Sequence, residues 1–280
     1  MQKRSVEVII ISDVHLGTYG SHATELLSYL RSIETGLLII NGDFIDIWNF
    51  SKRYFPPAHM EVIREILKMQ TAGTRVVYIT GNHDELMRKY SGLHLGNFQV
   101  TDKLVMEIDG SMCWIFHGDV FDITTKGSAK IIAKLGGKGY DILILLNRFI
   151  NWCLGIIGRE KMSFSKRIKN SVKKAVSWIT DFEQTAADLA IEKKYDFVIC
   201  GHIHQPQKRI IETTKGSVIY MNSGDWVENL SALEYANGSW NIFVYNEKDF
   251  EKVKMQNIKP IPDVNSDEIM FYINSLDQAI

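Results

Sequence analysis

Apolar residues along this chain fall into two rhythms. The runs "VEVIII", "GLLIIN", "RVVYIT", "MCWIFH" and "YDFVIC" are short, nearly continuous and rich in β-branched residues, the pattern of strands covered on both faces. Between them, "HATELLSYLRSI" and "HMEVIREILKMQTAG" place apolar residues at helical spacing, the second closed by Gly73. The alternation predicts an α/β sheet, and sheets of that class gather their ligands at strand ends. Near the C-terminus, "LSALEYANGSWNIFVYN" predicts a hairpin turning at Asn237 and Gly238.

Each predicted strand opens into polar residues of one chemical kind. Their ends carry Asp13-x-His15, Asp43, Asn82-His83-Asp84, His117 and His202-x-His204. A strand directs residues i and i+2 to the same face, so two imidazoles spaced this way at a strand mouth can converge on one point. Asp13, His15, Asp43, Asn82, His117, His202 and His204 are oxygen or imidazole donors suited to manganese, iron or zinc. Since none is a thiolate, a structural zinc finger is excluded. One ion would not need so many donors. Two ions held roughly 3.5 to 4 Å apart, sharing a carboxylate, would use them all, and such a pair clamps the attacking and leaving oxygens of a phosphoryl displacement.

Composition narrows the setting. The chain has 280 residues, 45% hydrophobic and 23% charged, with a formal net charge of -1, so no general attraction to nucleic acid is expected. Cys113, Cys153 and Cys200 are odd in number and far apart, which argues for a reducing compartment rather than a disulfide framework. The apolar run of "MQKRSVEVIIISDVHLG" is too short for a signal peptide, and a cytoplasmic location is expected.

The ordered set D-x-H, GD-x-x-D, GNHD, H-GD and GH-x-H resembles the calcineurin-like metallophosphoesterases across about residues 8 to 226. That resemblance implies a four-layer α/β/β/α sandwich with a two-metal site at the strand ends, manganese foremost. By matching motif, Asp13, His15 and His204 would hold one ion, Asn82, His117 and His202 the other, and Asp43 would bridge them. His83 would be the general acid, and Asp46, the last residue of "GDFID", would orient it. Within the superfamily, "ISDVHLG", "NGDFIDIW", "GHIHQP" and "NSGDW" are most similar to the UDP-2,3-diacylglucosamine pyrophosphatases of lipid A synthesis. One departure is His83, where the typical member of that group has arginine.

Residues 124–195 form an insertion far longer than an ordinary connection, between core segments 1–123 and 196–246. In "DILILLNRFINWCLGIIG" the positions Asn147, Arg148, Asn151, Gly155 and Gly158 share a helical stripe opposite a broad apolar arc, and this stretch is a poor transmembrane span. Residues Arg159 to Lys174 then carry seven Lys/Arg against one Glu. An apolar arm followed by a basic one predicts a helical lid that receives acyl chains and phosphate, with Arg167, Lys173 and Lys174 as substrate contacts, or that rests on an anionic bilayer at the inner face of the cytoplasmic membrane. A helical hairpin packed on the core would also account for the arc, but an insertion leaving directly from "HGDVFD" begins beside the metal donors. A phosphatase for a soluble nucleotide or a phosphoprotein would explain the donors without the apolar lid. A non-catalytic scaffold would ordinarily have lost donors, and none of the expected set is missing. No nucleic-acid partner is expected, because no aromatic-interleaved basic groove is evident. The polar segment 247–280 carries no motif.

Overall fold

Each of the central strands is apolar on both faces because it lies between two cores. A computed structural model describes residues 3–47, 54–123 and 165–250. Strand β1 (Arg4–Ile11), helix α1 (Ala23–Arg31), β2 (Ile33–Asn41), helix α2 (Pro57–Thr71) and β3 (Arg75–Ile79) build the first half in strict alternation. They are followed by the short strands β4 (His94–Leu95), at the sheet edge, and β5 (Phe98–Thr101), and by the hairpin of β6 (Lys103–Ile108) and β7 (Ser111–Phe116). Helix α3 (Ser165–Glu192) precedes β8 (Phe197–Cys200), β9 (Gln207–Thr213), β10 (Gly216–Asn222), β11 (Ser231–Ala236) and β12 (Ser239–Val244).

Two sheets result. One runs β12-β11-β1-β2-β3-β5-β4, the other β6-β7-β8-β10-β9. β1, β2, β3 and β5 are parallel neighbours, and β7, β8 and β10 are parallel in the second sheet. The polar ends of the strands therefore collect on one edge of the molecule.

Side chains alternate between the cores with a period of two. Ile9, Ile11, Leu38, Ile40, Val76 and Tyr78 meet Leu26, Leu30, Val62 and Ile66 of α1 and α2. Their neighbours Val8, Ile10, Ile39, Val77 and Ile79 face Cys113, Ile115, Ile199 and Met221 of the second sheet. On that sheet's far side, Val198, Cys200, Val218 and Tyr220 pack with Phe182, Ala186, Ala187 and Ala190 of α3. The order is helix, sheet, sheet, helix, the four-layer α/β/β/α sandwich expected.

The C-terminal half of α3, assigned by sequence to the insertion ending at residue 195, forms the outer layer of the sandwich, because three alanines and Phe182 fit closely against the sheet. The apolar stretch 142–157 and the basic run before Ser165 lie outside the described residues, as does the chain after 250. The predicted hairpin is present: Asn237 and Gly238 both have positive φ between β11 and β12, as a two-residue type I′ turn requires. Among the described residues no helix is long and apolar enough to cross a membrane.

Candidate metal centre

Five loops that leave parallel strands hold the cluster. Asp13 and His15 follow β1, Asp43 follows β2, Asn82 and His83 follow β3, His117 follows β7, and His202 and His204 follow β8. The donor atoms fall into three triads, each with its atoms within 4.8 Å of one another: Asp13, His15 and His204; His15, Asp43 and His83; and Asp43, His117 and His202. His15 and Asp43 each belong to two triads, so the set is one continuous cluster.

Main-chain contacts hold these loops in register. The Asp13 amide donates to the Gly42 carbonyl (3.1 Å), and the His15 amide to that of Asp43 (2.9 Å). One oxygen of Asp13 accepts from the His202 amide (3.0 Å), and one of Asp43 accepts from the His83 amide (2.8 Å). Each carboxylate thus spends one oxygen on a neighbouring loop and turns the other to an imidazole: Asp13 Oδ1 lies 3.2 Å from His204 Nε2, and Asp43 Oδ2 3.2 Å from His117 Nε2.

Several features of this arrangement fit metal ions. His117 Nδ1 lies 2.8 Å from the Asn41 carbonyl, so that nitrogen is the donor and Nε2 is turned toward the cluster, as when a backbone carbonyl fixes the tautomer of a ligating imidazole. Asn82 Oδ1 is buried with no hydrogen-bond partner among the described residues. The glycines beside the ligands leave no room for a side chain. A Cβ on Gly42 would lie 2.4 Å from the His117 ring, and one on Gly81 would lie 2.2 Å from Asp43 Oδ1.

Backbone strain is concentrated here too. Asp13, His15, Asp43, His202 and His204 all adopt left-handed φ, between 52° and 66°. That conformation is uncommon outside glycine and costs on the order of 1–3 kcal/mol per residue where nothing local favours it.

The charges couple strongly. For both carboxylates burial is the largest influence and acts to raise the pKa, yet the facing histidines overcome it: Asp13 is held well below the usual range by His204 and His117, and Asp43 is lowered to about 2, chiefly by His117. Burial likewise pulls His204 and His117 down, but Asp13 and Asp43 outweigh it, leaving His204 raised to about 9 and His117 well above its ordinary value.

His83 stands beside the donors with a different neighbour. Its Nδ1 lies 3.0 Å from Asp46 Oδ1, and the other oxygen of Asp46 is 3.4 Å from His15 Nδ1. Burial lowers the His83 pKa, but the Asp46 hydrogen bond and the charges of Asp43 and Asp46 more than compensate, so the net shift is upward. Asp84 accepts from the Phe44 and Gly81 amides and the Tyr78 hydroxyl, and so fixes its own loop. Asp225 has a role that sequence reading did not assign. It is fully buried, accepts from the amides of Val227, Glu228 and Asn229, and places Oδ2 3.7 Å from His204 Nδ1. A signal existed: "GDW" follows β10 as "GDF" follows β2. Arg167, Lys173 and Lys174 fall on the N-terminal part of α3, where side chains lie outside the described residues.

A buried, strained set of carboxylate and imidazole donors at parallel strand ends defines a metallohydrolase centre. The family model for calcineurin-like phosphoesterases matches residues 6–206. The chain belongs to that family and is a metal-dependent phosphoesterase, a hydrolase that works with divalent metal ions. Among its relatives, the UDP-2,3-diacylglucosamine hydrolase of Aliivibrio fischeri (strain MJ11) is 22% identical over 256 residues, covering 87% of this chain and 99% of that one. That of Ralstonia nicotianae is 28% identical over 216 residues, covering 71% and 78%, and that of Neisseria gonorrhoeae 25% over 245 residues, covering 85% and 97%. Overlap with solved structures is loose: a phosphoesterase from E. coli is 15% identical and covers 88% of this chain and 96% of that one, with a TM-score of 0.40.

Proposed function

We propose that this phosphoesterase hydrolyses the pyrophosphate bond of UDP-2,3-diacylglucosamine, giving UMP and 2,3-diacylglucosamine 1-phosphate, with two manganese ions. The reading is carried by the sharing of His15 and Asp43 among three donor triads, which suits a pair of ions better than one. Its substrate is supported by relatives that carry this name along most of their length. Asp13, His15 and His204 would hold one ion, Asn82, His117 and His202 the other, with Asp43 shared. Divalent cations so bound acidify water for attack near neutral pH and neutralise charge on the phosphoryl oxygens.

The protein's own groups would do the rest. His83 donates its proton to the bridging oxygen as the bond from that oxygen to the attacked phosphorus breaks, and Asp46 holds the ring in its protonated form and aims it. Asp225 fixes the His204 ring from behind. The apolar stretch 142–157 would receive acyl chains, and Arg167, Lys173 and Lys174 would meet phosphate or an anionic membrane surface.

The test is a panel on the metal-reconstituted enzyme: UDP-2,3-diacylglucosamine, its deacylated form, soluble UDP-sugars and an aryl phosphodiester. The diacyl substrate should be preferred by orders of magnitude, since each buried methylene contributes about 0.8 kcal/mol. Equal efficiency on the deacylated form would remove the lipid from this reading and leave a phosphoesterase of soluble nucleotides.

A further inference from the structure

The loop that carries His15 continues into an aromatic pair for which the sandwich has no use. Tyr19 is 76% exposed, and its ring lies 3.8 Å, centroid to centroid, from that of Tyr54 at an interplanar angle of 33°. Among the described residues, Tyr54 covers one face of Tyr19 and the residue otherwise stays mostly exposed. Burial therefore gives little reason for an aromatic residue at this position.

The pair is held in place beside the metal donors. Gly17 donates its amide to His59 Nδ1 at 2.9 Å, and His59 is buried at the start of α2, in edge contact with both Tyr54 and Phe55. Thr18 turns back on His15, its amide and hydroxyl both donating to the His15 carbonyl at 3.2 and 2.9 Å. Farther on, the His22 amide donates to the Trp226 carbonyl (2.9 Å). A turn of this kind keeps its first and last Cα within about 7 Å, and Tyr19 is one Cα step of about 3.8 Å beyond, so its backbone stays within about 11 Å of His15. That is within the span of a nucleotide whose phosphate lies at the cluster.

We propose that Tyr19, stacked on Tyr54 at the rim beside His15, is the platform on which the nucleobase of a nucleotide substrate stacks. The inference deepens the reading of a UDP-linked substrate and rests on it. A rigid aromatic face gives large contact area at small entropic cost, and base–aromatic stacking tolerates any base because every base has a π-face. The platform should therefore contribute affinity for the nucleoside end without selecting uracil strongly.

The experiment uses an aryl phosphodiester as reporter substrate for the metal-loaded enzyme, with UMP, AMP, ribose 5-phosphate and inorganic phosphate as inhibitors. UMP and AMP should inhibit wild type more strongly than ribose 5-phosphate. Tyr19→Ala should weaken UMP and AMP on the order of tenfold, the scale of one base stack, while phosphate inhibition and melting temperature stay unchanged. Tyr19→Trp should retain nucleotide affinity. If UMP binds Tyr19→Ala as tightly as wild type, or if UMP binds wild type no better than ribose 5-phosphate, the platform is refuted. Turnover of UDP-2,3-diacylglucosamine by wild type is scored separately, so the substrate reading can survive the loss of the platform. If wild type leaves every UDP-linked substrate intact while UMP still shows the Tyr19 dependence, the platform stands and the substrate reading falls.

Discussion

Asp43 connects the two halves of the cluster through opposite oxygens, one toward the His83 amide and one toward His117. Replacing it with alanine should lower bound metal and reduce kcat/KM by several orders of magnitude while the far-ultraviolet spectrum of the sheet persists. Full metal content in that variant would rule out a shared carboxylate. His83 offers a different signature because its Nδ1 meets Asp46 and its proposed task is to donate a proton rather than to hold an ion. His83→Ala should keep the metal yet lose rate, and the loss should be smaller for a nitrophenolate leaving group that departs without a proton. The same factor on good and poor leaving groups would remove His83 from proton donation. Asp225 went unassigned because its effect passes through His204, so its "GDW" motif marked a strand end but not the ring behind which the carboxylate lies. The Asn41 contact to His117 uses a main-chain carbonyl, which any residue could supply.

At the level of elements, the strands and the two helices between them were legible because β-branched runs and helical periodicity rarely mimic each other over such lengths. Two edge strands were not: β6 alternates exposed and half-buried residues, and β4 is two residues long. For helix α3 the packing partner was not legible, since an amphipathic stripe shows that a helix is covered but not by what. The strand-to-loop junctions were legible as chemistry and illegible as geometry. Gly81 illustrates this, for only the structure shows Asp43 occupying the space of its missing side chain. Gly81→Ala should displace Asp43 and weaken metal binding in calorimetric titration at least tenfold, with little change in secondary structure. Undiminished affinity would mean that the loop yields without cost to the cluster.

For the whole molecule, the coupled charges make metal-free stability a function of pH. His204 is raised to about 9 in the folded chain, against about 6.5 unfolded, so its contribution is complete below about 6.5 and is lost as pH rises through 9. Asp43 is lowered to about 2, so its contribution is present above the unfolded value of about 4 and is lost as pH falls through 2. In chelator, the melting temperature should therefore decline from pH 6.5 to 9. Metal-loaded protein should not show this decline, because binding has already expelled the protons. A metal-free melting temperature that rises over that interval would contradict the coupling.

Five donors held at left-handed φ also set a direction for drift. A library of this chain sorted for thermal stability alone, in chelator, should accumulate glycine and asparagine at positions 15 and 202, since those residues occupy that conformation readily, whereas 13, 43 and 204 belong to the carboxylate–imidazole pairs that stabilise the metal-free fold. If histidine persists at positions 15 and 202 only when the library is sorted with metal present, deep sequencing would mark them as ligands without a single assay of phosphoester cleavage.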